Sequence, residues 1–183
     1  MMTRAAAVVL ALSVIVGTAL GGEIEQRRLD IGLKIFPRLV AVDNDLSNKT
    51  TPQGEALLVF VYQDNETGAR SAARRIENEV ANIAGFPPAA RAVSIRSLGD
   101  LDVRPAGIFV TEHLDDSEFE AVSRFAEQRQ ALLFSPLTGD VERGATAGLF
   151  IGSRIRPYFN LTSLRDSGIQ INKRLLGISK HYE

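Results

Sequence analysis

The chain reads as an α/β protein: a three-layer sandwich on a mainly parallel central sheet, closed by a C-terminal antiparallel hairpin and short terminal helices. Three observations predict it. Ala56 to Tyr62 is an almost unbroken apolar run of strand length, the pattern of a strand covered on both faces. Between such runs lie stretches whose apolar residues recur at helical spacing. In the last third, Ala147–Ile151 and Ile155–Leu161 are two strand-like runs joined only by Gly152-Ser153-Arg154, a link short enough for a hairpin.

At the N-terminus, Arg4 precedes an apolar stretch from Ala5 to Leu20, interrupted by Ser13, Gly17 and Thr18. Ala19-Leu20-Gly21 offers the small-x-small step of a cleavage site, so residues 1–21 are expected to be a signal peptide directing export, to the periplasm in a bacterium. The run is shorter than the roughly 20 residues that span a bilayer comfortably, which makes a retained anchor the lesser alternative. After cleavage no membrane insertion is expected. Residues 22–183 then form one domain of ordinary size.

Leu29, Leu33, Phe36 and Val40 mark a first helix, with Pro37 as its bend or end, and Asp43 to Gly54 reads as a loop. The strand Ala56–Tyr62 follows. Asp64-Asn65-Glu66 opens a helix whose stripe is Ala69, Ala72, Ala73, Ile76, Val80 and Ile83, ended by Gly85 and Pro87-Pro88. Ala92–Ile95 and Gly107–Val110 are two short strands. Asp115, Asp116 and Ser117 cap a helix that turns Phe119, Val122, Phe125 and Ala126 inward. Ala131–Phe134 is a buried-type strand. Beyond the hairpin come two short helices split at Gly168, the second capped by Asn172 and carrying Leu175, Leu176 and Ile178.

Composition excludes several function classes. There is no cysteine, so lipid attachment of the bacterial lipoprotein kind, thiol catalysis and thiolate metal sites fall away. The two histidines, His113 and His181, have no metal-ligand spacing, and no metal or cofactor is expected. Gly139, Asp140 and Gly144 lack the lysine of a phosphate loop, and Ser135-Pro136 lacks the glycines of a nucleophile elbow. Ser135, His113 and Glu112 could be assembled on paper as a triad, but such an inventory arises readily by chance, and the chain reads as non-enzymatic. A net charge of −1 gives no field to draw nucleic acid. Arg27-Arg28 and Arg74-Arg75 read as solvated helix faces. The sequons at Asn48, Asn65 and Asn160 are accidental in a bacterial export context.

In folds of this class ligands lie in the crevice beyond the carboxyl ends of the parallel strands. Gln63, Asp64 and Asn65 should fall there after the first strand, Thr111, Glu112 and His113 after the third, and Ser135 after the fourth. The simpler alternative is that Asp64 and Asn65 cap a helix and Thr111 satisfies loop backbone. At the hairpin, Arg154 and Arg156 are the candidates for touching a partner.

The ordered series Ala147-Gly148-Leu149-Phe150, Arg154 to Leu161, Ser167-Gly168-Ile169-Gln170-Ile171 and Leu175-Leu176 resembles the end of the YfiR/HmsC-like family of periplasmic regulatory proteins. Leu33-Lys34-Ile35-Phe36 is similar to that family's opening helix. The chain lacks the family's frequent Trp-Pro and paired cysteines, so the redox control of that family is not expected of it. The resemblance implies a regulator acting on the sensory domain of an inner-membrane signalling protein, a diguanylate cyclase or sensor kinase, and restraining cyclic di-GMP output. It also implies structural roles for Gly148, Asn160 and Gly168. The other class open to the sequence is a periplasmic small-molecule binder feeding a sensor or transporter.

Overall fold

The computed structural model describes residues 4–183, with side chains from residue 22 onward. Residues 1–3 of the expected signal peptide lie outside the described residues, as do the side chains of the rest of it. Helix α1, Arg4–Val40, runs for 37 residues. Among the described residues no helix is long and apolar enough to cross a membrane.

The remaining helices are α2 (Glu66–Glu79), α3 (Asp116–Gln128), α4 (Leu161–Asp166) and α5 (Lys173–Ile178). The strands are β1 (Ala56–Tyr62), β2 (Pro88–Ser94), β3 (Gly107–Val110), β4 (Leu132–Ser135), β5 (Ala147–Ile151), β6 (Ile155–Asn160) and β7 (Lys180–Tyr182). They form one seven-stranded sheet in the order β2-β1-β3-β4-β5-β6-β7. The first five strands run parallel, and among the described strands β5 and β6 make the single antiparallel pair. The chain is an α/β sandwich on a mostly parallel sheet with a C-terminal hairpin.

The apolar run of β1 has its cause in this order. Lying between β2 and β3, it is buried from Ala56 through Val61. Alternate residues point to opposite faces. Leu58 and Phe60 meet α1 and α2, whereas Leu57, Val59 and Val61 meet α3. Phe36 of α1 sits over the sheet centre, with ring centroids 6.1, 5.4 and 5.6 Å from those of Phe60, Phe109 and Phe134. Gly107 permits that approach, because a Cβ there would lie 2.8 Å from both Phe36 and Val40.

Several boundaries differ from the sequence expectation. Pro37 does not end α1 but lies inside its last turn, and the helix closes at Val40. So near the end, proline's missing donor costs the helix a single bond. The α2 stripe stops at Glu79. Ile83 is buried in a tight turn beyond it, where Ala84 and Gly85 take positive φ values. β2 begins at Pro88 and ends before Ile95; a proline is tolerated as the first residue of an edge strand. β7 is an addition, three exposed residues with no apolar alternation to announce them.

The capping expectations hold in detail. The side chain of Asp115 accepts from the Glu118 N–H, while Glu118 reaches back to the Asp115 N–H, a complete capping box. Gly168 has φ +65° and closes the turn after α4. Asn160 ends β6 and caps α4: its Oδ1 accepts from Ser163 N–H at 3.0 Å and its Nδ2 donates to the Val141 carbonyl at 2.9 Å.

Candidate ligand crevice

The carboxyl ends of β1 and β3 come together at one edge of the sheet, and the residues that follow them have separate tasks. Glu112 is the organiser. Its Oε1 accepts from three consecutive backbone N–H groups, Gln63 at 2.8 Å, Asp64 at 3.0 Å and Asn65 at 2.9 Å. A carboxylate at the entry to α2 meets the positive end of the helix and locks the β3 loop to the β1–α2 turn. Asn65 caps α2 through Oδ1, which accepts from Gly68 N–H at 2.9 Å. Asp64 is exposed. Gln63 is half-buried, and its Oε1 is buried without a hydrogen-bond partner among the described residues.

Thr111 is buried and donates from Oγ1 to the Val61 carbonyl at 2.7 Å. His113 is exposed and lies 2.9 Å from Glu25 of α1. Ser135 departs from expectation. It is fully buried, donates to Asp140 Oδ2 at 2.6 Å and accepts from the Leu137 N–H at 3.2 Å. The chain after β4 folds back over its strand end, so no ligand can reach this hydroxyl. Arg143 holds the other oxygen of Asp140 at 3.0 Å and stacks 4.5 Å from the Phe119 ring centroid. The paper triad of Ser135, His113 and Glu112 is not assembled, since each side chain is engaged with a different partner.

An open crevice of about 210 Å³ lies between α1, α2 and the ends of β1 and β3. Leu29, Leu33, Ala72 and Phe109 give it an apolar floor, and Gln26, Asp30, Asn65, Ser71, Arg75 and Thr111 supply its polar groups. Of the seven residues expected at a crevice, Asn65 and Thr111 line it. Gln26, Asp30, Ser71 and Arg75 were not foreseen. Arg75 spans the two helices, with Nη1 2.6 Å from Asp30 and Nε 3.2 Å from Glu79. The hydrogen bond to Asp30 raises the guanidinium above its ordinary range, against a smaller desolvation effect. A second groove of about 370 Å³ shares Leu33 and Arg75 and continues along the two helices.

The arginine pairs read as solvated faces therefore divide. Arg74 is exposed, whereas Arg75 bridges helices. Arg28 is part-buried, donating from Nε to the Pro136 carbonyl and from Nη2 to the Leu149 carbonyl at 3.2 Å. Burial lowers its pKa, with Glu142 acting in the opposite sense. α1 is thus fastened to the end of β4 and the middle of β5.

Gly148 is a contact glycine, since a Cβ there would stand 2.6 Å from the Ser135 carbonyl oxygen. Arg154 and Arg156 are exposed near the hairpin tip, beside Ile151 at 45% and Ile155 at 47% exposure. The Arg156 guanidinium lies 5.3 Å from the Phe150 ring centroid. Among the described residues no group of three or more histidine, aspartate or glutamate side chains is placed to hold a metal ion.

No family model and no curated protein matches the chain. Solved structures do share its fold. One is the ABC domain in complex with L-Trp from Streptococcus pneumoniae, with TM-score 0.50 and 15% identity, over 79% of this chain and 62% of that one. Another is a conserved domain protein from Vibrio cholerae, with TM-score 0.50 and 17% identity, over 74% of this chain and 57% of that one. A third is the ligand-free, open form of a substrate-binding protein with adhesive properties from Clostridium difficile. It has TM-score 0.56 and 15% identity, over 84% of this chain and 59% of that one. At such identities the likeness is one of fold. This chain spans between 57% and 62% of the length of these proteins.

Proposed function

We propose that the chain is a small-molecule-binding module whose ligand enters the crevice between α1 and α2. The observation that carries this reading is the position of the crevice. It lies at the carboxyl ends of β1 and β3, where doubly wound sheets bind ligands. It combines an apolar floor with a few convergent polar groups. Two of the fold neighbours are described as ligand-bound or substrate-binding proteins, which supports the same reading. The ligand's effect would pass to a membrane-bound sensor or transporter. Export to the periplasm, expected from residues 1–21, belongs to this proposal.

The test is thermal unfolding against a library of small metabolites, with wild type beside Ser71→Phe, which fills the crevice from its exposed rim. Ligands that raise the wild-type Tm and leave the variant unmoved support the reading. A library without effect on the wild type, or with equal effect on both, defeats it.

A second reading rests on the hairpin. Exposed Ile151 and Ile155 beside Arg154 and Arg156 form an apolar and cationic tip, as a regulator of the YfiR/HmsC type would need to touch the sensory domain of a diguanylate cyclase or sensor kinase. The Arg154→Glu/Arg156→Glu variant tests it. Normal folding with lost capture of a membrane protein supports this contact, and unchanged capture removes it.

A further inference from the structure

The sheet has a free edge at β2, whose groove shares no lining residue with the crevice. β2 pairs with β1 along its whole length and, among the described residues, has no strand on its other side. The Ala56 N–H donates to the Pro87 carbonyl at 2.9 Å. The alternation of a parallel ladder therefore turns the N–H and C=O of Ala90 and Ala92 toward the open side. Such a row of unpaired groups is a template for another strand.

The chemistry beside this edge selects the strand. A groove of about 430 Å³ runs along it. Arg70 and Arg74 of α2 line one side, next to the layer that Ala90 and Ala92 pack against. Arg91 lines it from the strand itself, on the face that Ala89 and Val93 share with the α3 layer. All three arginines are exposed. Arg70 is paired with Glu66 at 2.6 Å, while Arg74 and Arg91 form no ion pair among the described residues. Among the described residues Glu77 is the one carboxylate lining the groove. An added strand, whose side chains alternate between faces, would meet cations on both. A second copy of this chain is a poor occupant, because edge-to-edge pairing would set arginine against arginine.

We propose that the β2 edge binds an extended acidic segment of a partner protein by strand addition, with Arg74 and Arg91 as its charge contacts. Backbone pairing supplies the affinity and the arginines the choice of partner. The proposal does not depend on the crevice or on its ligand.

The test is fluorescence anisotropy of the full chain with a labelled heptapeptide of valine and threonine carrying two adjacent central glutamates, beside its lysine counterpart. The glutamate peptide should bind, more weakly as salt rises, and the lysine peptide should not. Arg74→Glu/Arg91→Glu should weaken the glutamate peptide by about tenfold or more and admit the lysine peptide. Ala92→Pro removes an outward donor while leaving the ladder to β1, and should abolish binding of either peptide. If that variant fails to fold, the charge reversal decides alone. No binding of the glutamate peptide by the wild type, equal binding of both peptides, or binding untouched by the charge reversal would overturn the proposal.

Discussion

Replacing Asn160 tests how the hairpin is joined to the rest of the domain. This side chain is 5% exposed and makes two bonds of different kinds. Its oxygen caps α4, and its nitrogen reaches across to the carbonyl of Val141, itself 2% exposed. Losing the cap costs about 1 kcal/mol, and losing the second bond costs about 0.5–1.5 kcal/mol more, since the Val141 carbonyl keeps the Gly144 N–H at 3.2 Å. Asn160→Ala should therefore destabilise the domain by about 1.5–2.5 kcal/mol. With a urea m-value of about 2 kcal/mol/M, the unfolding midpoint should fall by about 1 M. Asn160→Asp separates the two bonds, because aspartate caps as well as asparagine but turns an acceptor toward the Val141 carbonyl. It should be at least as damaging as alanine. An aspartate variant within about 0.5 kcal/mol of wild type would refute the tie to Val141 and leave only the cap.

Other perturbations have outcomes set by the same structure. Phe36→Ala removes the ring at the centre of the Phe60, Phe109 and Phe134 cluster and should cost about 3–5 kcal/mol in urea unfolding. Gly107→Ala, which presses a methyl group against Phe36 and Val40, should cost about 1–3 kcal/mol by the same assay. The Glu118 N–H, and then the Ser117 hydroxyl, hold Asp115 below the ordinary aspartate range. A depressed folded pKa stabilises above the unfolded value, and that stabilisation is lost as pH falls through the folded one. The stability difference between wild type and Asp115→Asn, followed by unfolding from neutral to acid pH, should shrink below the ordinary aspartate range.

The layered fold was legible because apolar pattern and burial have one cause. The continuous run at β1 requires cover on both faces, and the structure places it between two strands and two helical layers. Caps at Asn65, Asp115 and Asn172 were legible because they act within a few residues of themselves. The crevice was half legible. Strand ends locate Asn65 and Thr111, but nothing local says that α1 crosses above them and brings Gln26 and Asp30 opposite Arg75. Ser135 misled for the same reason, since its burial depends on a return of chain fixed by Asp140 and Arg143. β7 escaped because three exposed residues bury too little to leave a pattern.

The most direct test of the proposed crevice is a map of backbone amide chemical shifts of the full chain, with and without the strongest stabiliser from the metabolite screen. The account predicts that the largest changes cluster at Asn65, Gly68, Ser71, Arg75 and Thr111, and that they vanish in Ser71→Phe. Changes confined to the hairpin around Ile151–Arg156, or persisting in that variant, would contradict it.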